Sequence, residues 1–252
     1  MLRKVRATRY VTPLREGGSL PAIVEADDFG LYVLKFRGAG QGPLTLVAEL
    51  IGGEIGRSLG LNVPELVFVD VDAALGRNEP DQEIQDLLRA STGLNLALDY
   101  LPGSVMFDPA AGDKADAMFA SRVVWFDSLI LNVDRTANNA NLLCWHKHLH
   151  LIDHGAALFF QHGWQNVEYF KETRFAQIRR HLLLSWASRI EEAAAELSAK
   201  LNTSVFERIL AEVPEEWMLA APREAYIDFL THRLENSKYF TEEAMDARAQ
   251  LL

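Results

Sequence analysis

One cysteine in 252 residues excludes an intramolecular disulfide framework and a Cys-x-x-Cys metal site, and Cys144 reads as a packed strand residue. A reducing, cytoplasmic setting is the expectation. Long apolar runs are also missing: the longest near the middle, 122–132, is broken by Asp127, which argues against a membrane span. The basic start Met1-Leu2-Arg3-Lys4 is followed by no apolar stretch, so neither a signal nor a transit peptide is expected. Positive charge is short as well. Lys and Arg number 25 against 35 Asp and Glu, a net charge of −10 without any dense basic stripe, so nucleic acid is not an expected partner. Internal repeats and low-complexity segments are absent. Hydrophobic residues, by contrast, make up 49% of the chain, enough for a large core in one big domain or two lobes.

The first forty residues are β-prone. Strands are expected over 9–14 and 22–26, and Asp27-Asp28-Phe29-Gly30 turns the chain into a third over 31–37, a three-strand meander. Between the first two strands lies Arg15-Glu16-Gly17-Gly18-Ser19-Leu20-Pro21. Its paired glycines allow backbone N–H groups to turn toward a phosphate, although a plain turn accounts for such a pair too. Asp28-Phe29-Gly30 spells the metal-binding triplet of protein kinases but precedes any candidate lysine or catalytic loop; a hairpin tip explains it. Residues 44–59 read as a helix, with Leu46, Val47, Leu50, Ile51, Ile55 and Leu59 at helical spacing, Pro43 near the start and Gly60 past the end. A strand over 66–71, a polar insertion or short surface helix over 72–91 and a strand over 93–101 follow. Beyond Pro102-Gly103 the pattern turns helical, with Asp113 as a cap for a helix to about 131. A hairpin over 142–145 and 148–152 interrupts it, before helices that include 183–201, 204–213 and 223–237. Strands first and helices after predict an α+β architecture of two lobes around a cleft: a small β-rich lobe over 1–101 and a larger, mostly helical one over 102–252.

Chemistry concentrates where the two meet. Asn132-Val133-Asp134-Arg135-Thr136-Ala137-Asn138-Asn139-Ala140-Asn141-Leu142-Leu143 is followed, behind the hairpin, by Leu151-Ile152-Asp153-His154-Gly155. An Asp, an Asn five residues on, an apolar hairpin and then Asp-x-Gly is the order in which kinase-type phosphotransferases present base and metal ligands. Phosphoryl transfer asks for a cation on the nucleotide phosphates, oxygen ligands for Mg²⁺, and a carboxylate beside the attacking hydroxyl. Asp134 is the candidate for that carboxylate and Asp153 for the metal ligand that bridges to the phosphates of ATP. Asn139 completes the metal shell by its spacing, with Asn141, which directly precedes Leu-Leu, as the alternative. An Asx-rich turn accounts for the Asp134 stretch alone, but not for its occurrence together with Asp153-His154-Gly155.

Lys35 is the candidate cation. It interrupts an apolar strand, where an unpaired ammonium is costly to bury, so a carboxylate partner is expected. Glu49 on the following helix is the first choice and Glu54 the second; an exposed edge-strand lysine is the competing reading. His146, His148, His150 and His154 fall close together, and His148 and His150 share a strand face at a spacing that can bind zinc. With Asp153 already assigned and no Cys or further acidic ligand at matching spacing, a solvated hairpin face is expected. Trp125, Phe126, Phe159, Phe160, Trp164, Tyr169 and Phe170 are expected mostly in the core, with 159–164 as a candidate segment to receive the acceptor.

Lys35 on the third strand, Glu49 in Leu46-Val47-Ala48-Glu49-Leu50, the helix exit Leu59-Gly60-Leu61-Asn62-Val63-Pro64-Glu65, and the Asp134 and Asp153 motifs together resemble the HipA-like kinases. That family is related to the phosphoinositide kinases and, more distantly, to the eukaryotic protein kinases. The resemblance spans roughly residues 9–165 and is specific in its combination of motifs. It implies a bilobal protein kinase-like fold, ATP with Mg²⁺, and phosphorylation of a Ser or Thr hydroxyl on a protein. Lys35, Asp134, Asn139 and Asp153 would take the roles given above, and Gly17, Gly18 and Ser19 would form the phosphate loop. In the family's toxin a serine of that loop is autophosphorylated and switches activity off; Ser19 matches it by position. Two positions depart from the pattern. Thr136 stands where the family commonly has His, and His154 replaces the Phe of the metal triplet. The chain also leaves little room for the toxin's N-terminal subdomain, so docking to a DNA-binding antitoxin is not expected. A protein Ser/Thr kinase is therefore the leading expectation. A small-molecule or lipid kinase shares the fold and ATP site, and a nucleotide-binding pseudokinase acting as an interaction module is suggested by Thr136 and His154.

Overall fold

Val5 and Ala7 point inward from β1 (Arg3–Pro13) while the flanking Arg and Lys residues stay in solvent, the period of two that a strand imposes. In the computed structural model, which describes residues 1–14, 20–40, 42–77, 79–219 and 221–251, β1 pairs antiparallel with β2 (Ala22–Ala26), which pairs with β3 (Leu31–Lys35). The expected meander is only part of the sheet. β3 pairs with β5 (Gly93–Asp99), β5 with β4 (Leu66–Val71), and β4 runs parallel to β1, closing a barrel of order β1-β2-β3-β5-β4. β1 starts at Arg3, earlier than expected, because Arg3 to Arg6 find partners in Val67 to Asp70, a parallel pairing that local pattern does not announce. Small Ala7, Ala22, Ala26 and Ala97 line the interior beside Val24, Leu34, Val67 and Val69, which lets five strands close without overfilling the centre. Ile84 and Leu88 of α2 (Gln82–Ala90) add to this core.

α1 (Pro43–Ser58) begins with proline at its first turn and is buried along most of its length. Three of its glycines, poor helix formers, sit where neighbours come close. A Cβ on Gly52 would lie 2.8 Å from His154 Cβ, one on Gly53 would lie 2.9 Å from Leu66 Cδ1, and one on Gly56 would lie 3.1 Å from Val63 Cγ2.

A second sheet of β6 (Val105–Met106), β7 (Leu142–Trp145) and β8 (His148–Leu151) follows. The two-residue β6 is too short to register in the sequence pattern. α3 (Ala117–Leu129) is capped by Asp116, whose Oδ1 accepts from the backbone N–H groups of Met118 at 2.9 Å and Phe119 at 3.0 Å. The expected cap, Asp113, instead accepts from the Asp108 N–H. The remaining helices are α4 (Val167–Glu172), α5 (Ile190–Ser198), α6 (Thr203–Glu212), α7 (Arg223–Glu235) and α8 (Ser237–Ala249). Residues 183–189, expected as helix, are irregular turns, from which Leu183, Leu184 and Ala187 fill the core while Ser185, Ser188 and Arg189 are exposed. The larger core runs from α1 through α3 to the C-terminal helices and takes in Phe68 and Leu96 of the barrel strands. No helix among the described residues is long and apolar enough to cross a membrane.

Candidate functional site

Lys35 ends β3 with its ammonium between two carboxylates. Nζ donates to Glu49 Oε2 at 2.6 Å and to Asp153 Oδ1 at 2.5 Å. Glu49 is fully buried whereas the Asp153 side chain is 42% exposed, so only Asp153 faces outward. Burial works against the Lys35 charge, but Asp153 and Glu49 outweigh it and hold the ammonium above the ordinary lysine range. Burial works against Glu49 as well, and Lys35 and His154 together outweigh it, leaving the carboxyl at about 2. Glu54, the second-choice partner, is turned away and pairs with Arg57 at 3.2 Å. A helix turn carries Glu49 toward β3, and the extra residues to position 54 rotate that side chain off the Lys35 face.

Asp134 lies in the loop between α3 and β7. Its Oδ2 accepts from Asn139 Nδ2 at 2.7 Å and from Asn141 Nδ2 at 3.2 Å, so both asparagines named from spacing reach the same carboxylate. Asn139 is half-buried; Asn141 is buried and has a left-handed φ of 47°. Burial lifts the Asp134 pKa above the ordinary aspartate range, with the charge of Asp153 adding to it, against the two amide donors.

The Asp153 segment is packed onto α1. His154 lies against Gly52 with no exposed surface, its ring edge against Phe126 and its Nδ1 3.5 Å from Glu49 Oε1. Gly155 leaves no room for a side chain, since a Cβ there would sit 2.6 Å from Thr45 Cγ2. Gln161 then donates to the Leu44 carbonyl at 3.0 Å and accepts from Tyr226 OH at 3.1 Å. In segment 159–164, expected as a candidate to receive the acceptor, Phe160 and Gln161 are buried, Phe159, Gly163 and Trp164 are half-buried and His162 is exposed; Phe160 stacks on Phe229 with centroids 3.7 Å apart. Gly17, Gly18 and Ser19 lie outside the described residues. In the β7–β8 hairpin the rings of His146 and His150 pack against Trp145. Asp28 at the β2–β3 tip accepts from the Gly30 N–H and Tyr32 OH, a structural turn.

Four residues around Asp134 were not singled out from sequence as site residues. Asn132 Oδ1 accepts from the Asp134 N–H at 3.1 Å, and Asn132 Nδ2 donates to Asp127 Oδ1 at 3.0 Å. Asp127 Oδ2 accepts from Arg135 Nε at 2.7 Å and meets His181 Nε2 at 2.8 Å. Burial opposes the Asp127 charge, but Arg135 and His181 outweigh it and hold this carboxyl far below its usual range. Asp127 had a signal, the lone acidic residue of an apolar helix; His181 had none, because it joins from 54 residues away.

The residues offer an ammonium, outward-facing carboxylates and amide oxygens, with Asp153 near enough to Asp134 for its charge to act there, a set suited to binding a polyanion with a hard cation and to taking a proton from a hydroxyl. A sequence profile of HipA-like kinases matches residues 8–242. Comparison with curated sequences returns no match. Among solved structures the chain is similar to the proinflammatory kinase CtkA of Helicobacter pylori, at 14% identity over 100% of both chains, with a TM-score of 0.56. It is also similar to the Golgi casein kinase with Mn/ADP bound, at 10% identity over 96% of this chain and 73% of that one, with a TM-score of 0.50.

Proposed function

The chain belongs to the HipA-like kinases, and on that premise we propose that it is a Ser/Thr protein kinase that transfers the γ-phosphoryl group of ATP to a protein hydroxyl with Mg²⁺. The observation that carries this reading is Lys35 bridging the buried Glu49 and the outward-facing Asp153 on one side, with Asp134 held by Asn139 on the other. Residues 1–101 and 102–252 are then the two lobes that meet at this cleft, and the lone Cys144, half-buried in β7, fits a cytoplasmic setting.

Lys35 is assigned to the nucleotide phosphates, its position fixed by Glu49. Asp153, with one oxygen on Lys35 and the other without a protein partner among the described residues, is assigned as a metal ligand. Asn139 is assigned as the second, because its amide nitrogen is used on Asp134 and its oxygen is left for a cation; Asn141, more deeply buried, is the alternative. An all-oxygen set of this kind suits Mg²⁺, which when bound would supply charge neutralisation on the phosphates. Asp134 orients the acceptor hydroxyl and takes its proton as the acceptor oxygen bonds to the γ-phosphorus and the bond to the β–γ bridging oxygen breaks, with ADP leaving. Its raised pKa makes it a better base than an ordinary aspartate.

Neither departure from the family pattern removes a group from this site, which favours an active kinase over a pseudokinase. Thr136 acts through its backbone, paired with Asn139 and bridged to His181. His154 packs and leaves the Asp153 carboxylate free to face outward. The reading is tested by incubating the protein with γ-labelled ATP and Mg²⁺, with and without cell lysate, beside Asp134→Ala and Asp153→Ala. Label transferred to protein by the wild type and lost in both variants is expected. Equal label in all three, or label only on a small molecule or lipid, would count against it.

A further inference from the structure

Asp127 joins two parts of the chain that lie far apart in sequence. Its carboxylate, without exposed surface, receives Asn132 and Arg135 from the Asp134 loop and His181 from the segment downstream of the Asp153 motif. His181 Nδ1 accepts from the Leu183 N–H at 3.0 Å, which leaves the ring proton on Nε2 to donate to Asp127. Arg135 continues the network, donating through its guanidinium to the Asn141 carbonyl. The backbones agree with the side chains: Thr136 and His181 form an antiparallel bridge, and the Leu182 N–H donates to the Arg135 carbonyl at 3.0 Å. Arg135 is 1% and His181 7% exposed, so both are closed to solvent, and Arg135 Nη2 is left without a partner among the described residues.

In kinases switched by phosphorylation, a phosphate added to the segment downstream of the metal motif orders it through new pairs with arginine. Here the arginine that follows Asp134 already faces an anion inside the fold, and the downstream segment is held to that same anion. We propose that Asp127 is a built-in substitute for such a phosphate. It is a positioning residue that locks segment 176–183 to the Asp134 loop, so that the kinase inferred above is assembled without phosphorylation of that segment. His181 is the second positioning residue, the link through which the segment is held.

The inference rests on the kinase reading for its activity arm and on hydrogen exchange for an arm independent of it. Asp127→Asn is the direct variant, but it strands a buried guanidinium and can unfold the chain, so His181→Ala and His181→Gln carry the test. Phosphatase-treated wild type is expected to keep its activity. His181→Ala is expected to lower kcat by about 10- to 100-fold with the KM for ATP within about twofold of wild type. Amide exchange should rise together in 132–141 and 176–183 but not in α1 or the barrel. His181→Gln, whose amide nitrogen overlays Nε2, should recover most of kcat and protection. Loss of wild-type activity on phosphatase treatment, unchanged kcat in His181→Ala, or exchange that rises in only one of the two segments overturns the proposal. If the wild type transfers no phosphate, the kinase reading fails by itself, and joint or separate exchange of the two segments still decides whether Asp127 couples them.

Discussion

Lys35 stands between carboxylates of unequal surroundings, and its removal is felt through the buried one. Without the ammonium, Glu49 keeps only His154 nearby among the described residues, a charge with no exposed surface. Lys35→Met is therefore expected to destabilise the chain by about 3–5 kcal/mol in urea unfolding, beyond abolishing transfer, whereas Asp153→Asn, at a half-exposed position, abolishes transfer at little cost in stability. The pH dependence follows from the same pair. Glu49 has its pKa lowered from 4.5 to about 2 by Lys35 and His154 together, against burial, so its contribution is fully present above the unfolded value and is lost as pH falls from 4.5 toward 2. Glu49→Gln should flatten the stability curve in that window. The two asparagines separate by the same reasoning. Asn139→Ala should raise the Mg²⁺ concentration for half-maximal activity by roughly tenfold or more. Asn141→Ala should instead show mainly as lost stability, since Asn141 is buried and takes a left-handed φ of 47° that alanine adopts at a cost.

At the scale of elements, α1 is the part on which the site depends, because it carries Glu49 and supports the Asp153 segment at two points, Gly52 against His154 and Thr45 against Gly155. Gly155→Ala places a Cβ 2.6 Å from Thr45 Cγ2, which should cost about 1–3 kcal/mol and push Asp153 away from Lys35. Thr45→Ser removes that methyl group, so a double-mutant cycle should show the pair recovering most of the loss in both stability and kcat. Much of this scaffold was legible in the sequence. The strands 22–26, 66–71 and 142–145 announce themselves by branched residues between turns, and α1 by its apolar spacing and Pro43, because those signals are local. The demand of a strand lysine for a carboxylate is also readable, since it follows from the cost of burying an unpaired charge. Parallel closure of β1 on β4 was not legible, nor was the choice of Asp116 over Asp113 as cap, nor the arrival of His181 at Asp127. Each of these is decided by which segments meet in three dimensions, and several residues of the same type compete locally for the role.

Across the whole molecule, the barrel and the helices share a core, so they do not have independent stability. Phe68 of β4 belongs to the core of the helices, and its ring meets the edge of Trp217, from the turn after α6, with centroids 5.8 Å apart at 66°. Lys200 donates to the Leu59 carbonyl at 3.1 Å at the end of α1, a second tie between the halves. Trp217 has no exposed surface, and its Nε1 has no hydrogen-bond partner among the described residues. Its contribution is therefore that of shape and apolar contact against Phe68, reduced by an indole N–H taken out of water without compensation. Two substitutions separate these effects. Trp217→Ala opens a cavity between β4 and the helices and should cost about 3–5 kcal/mol. Trp217→Phe keeps an aromatic edge for Phe68 and removes the unpartnered donor, so the relief offsets part of the lost volume and the cost should fall below about 1.5 kcal/mol. The wild type and Trp217→Phe should each unfold in a single transition by circular dichroism and by intrinsic fluorescence. Trp217→Ala, with the shared core interrupted, should separate the two probes. Coincident transitions in Trp217→Ala would mean that α1 and its neighbours hold the halves together without Trp217.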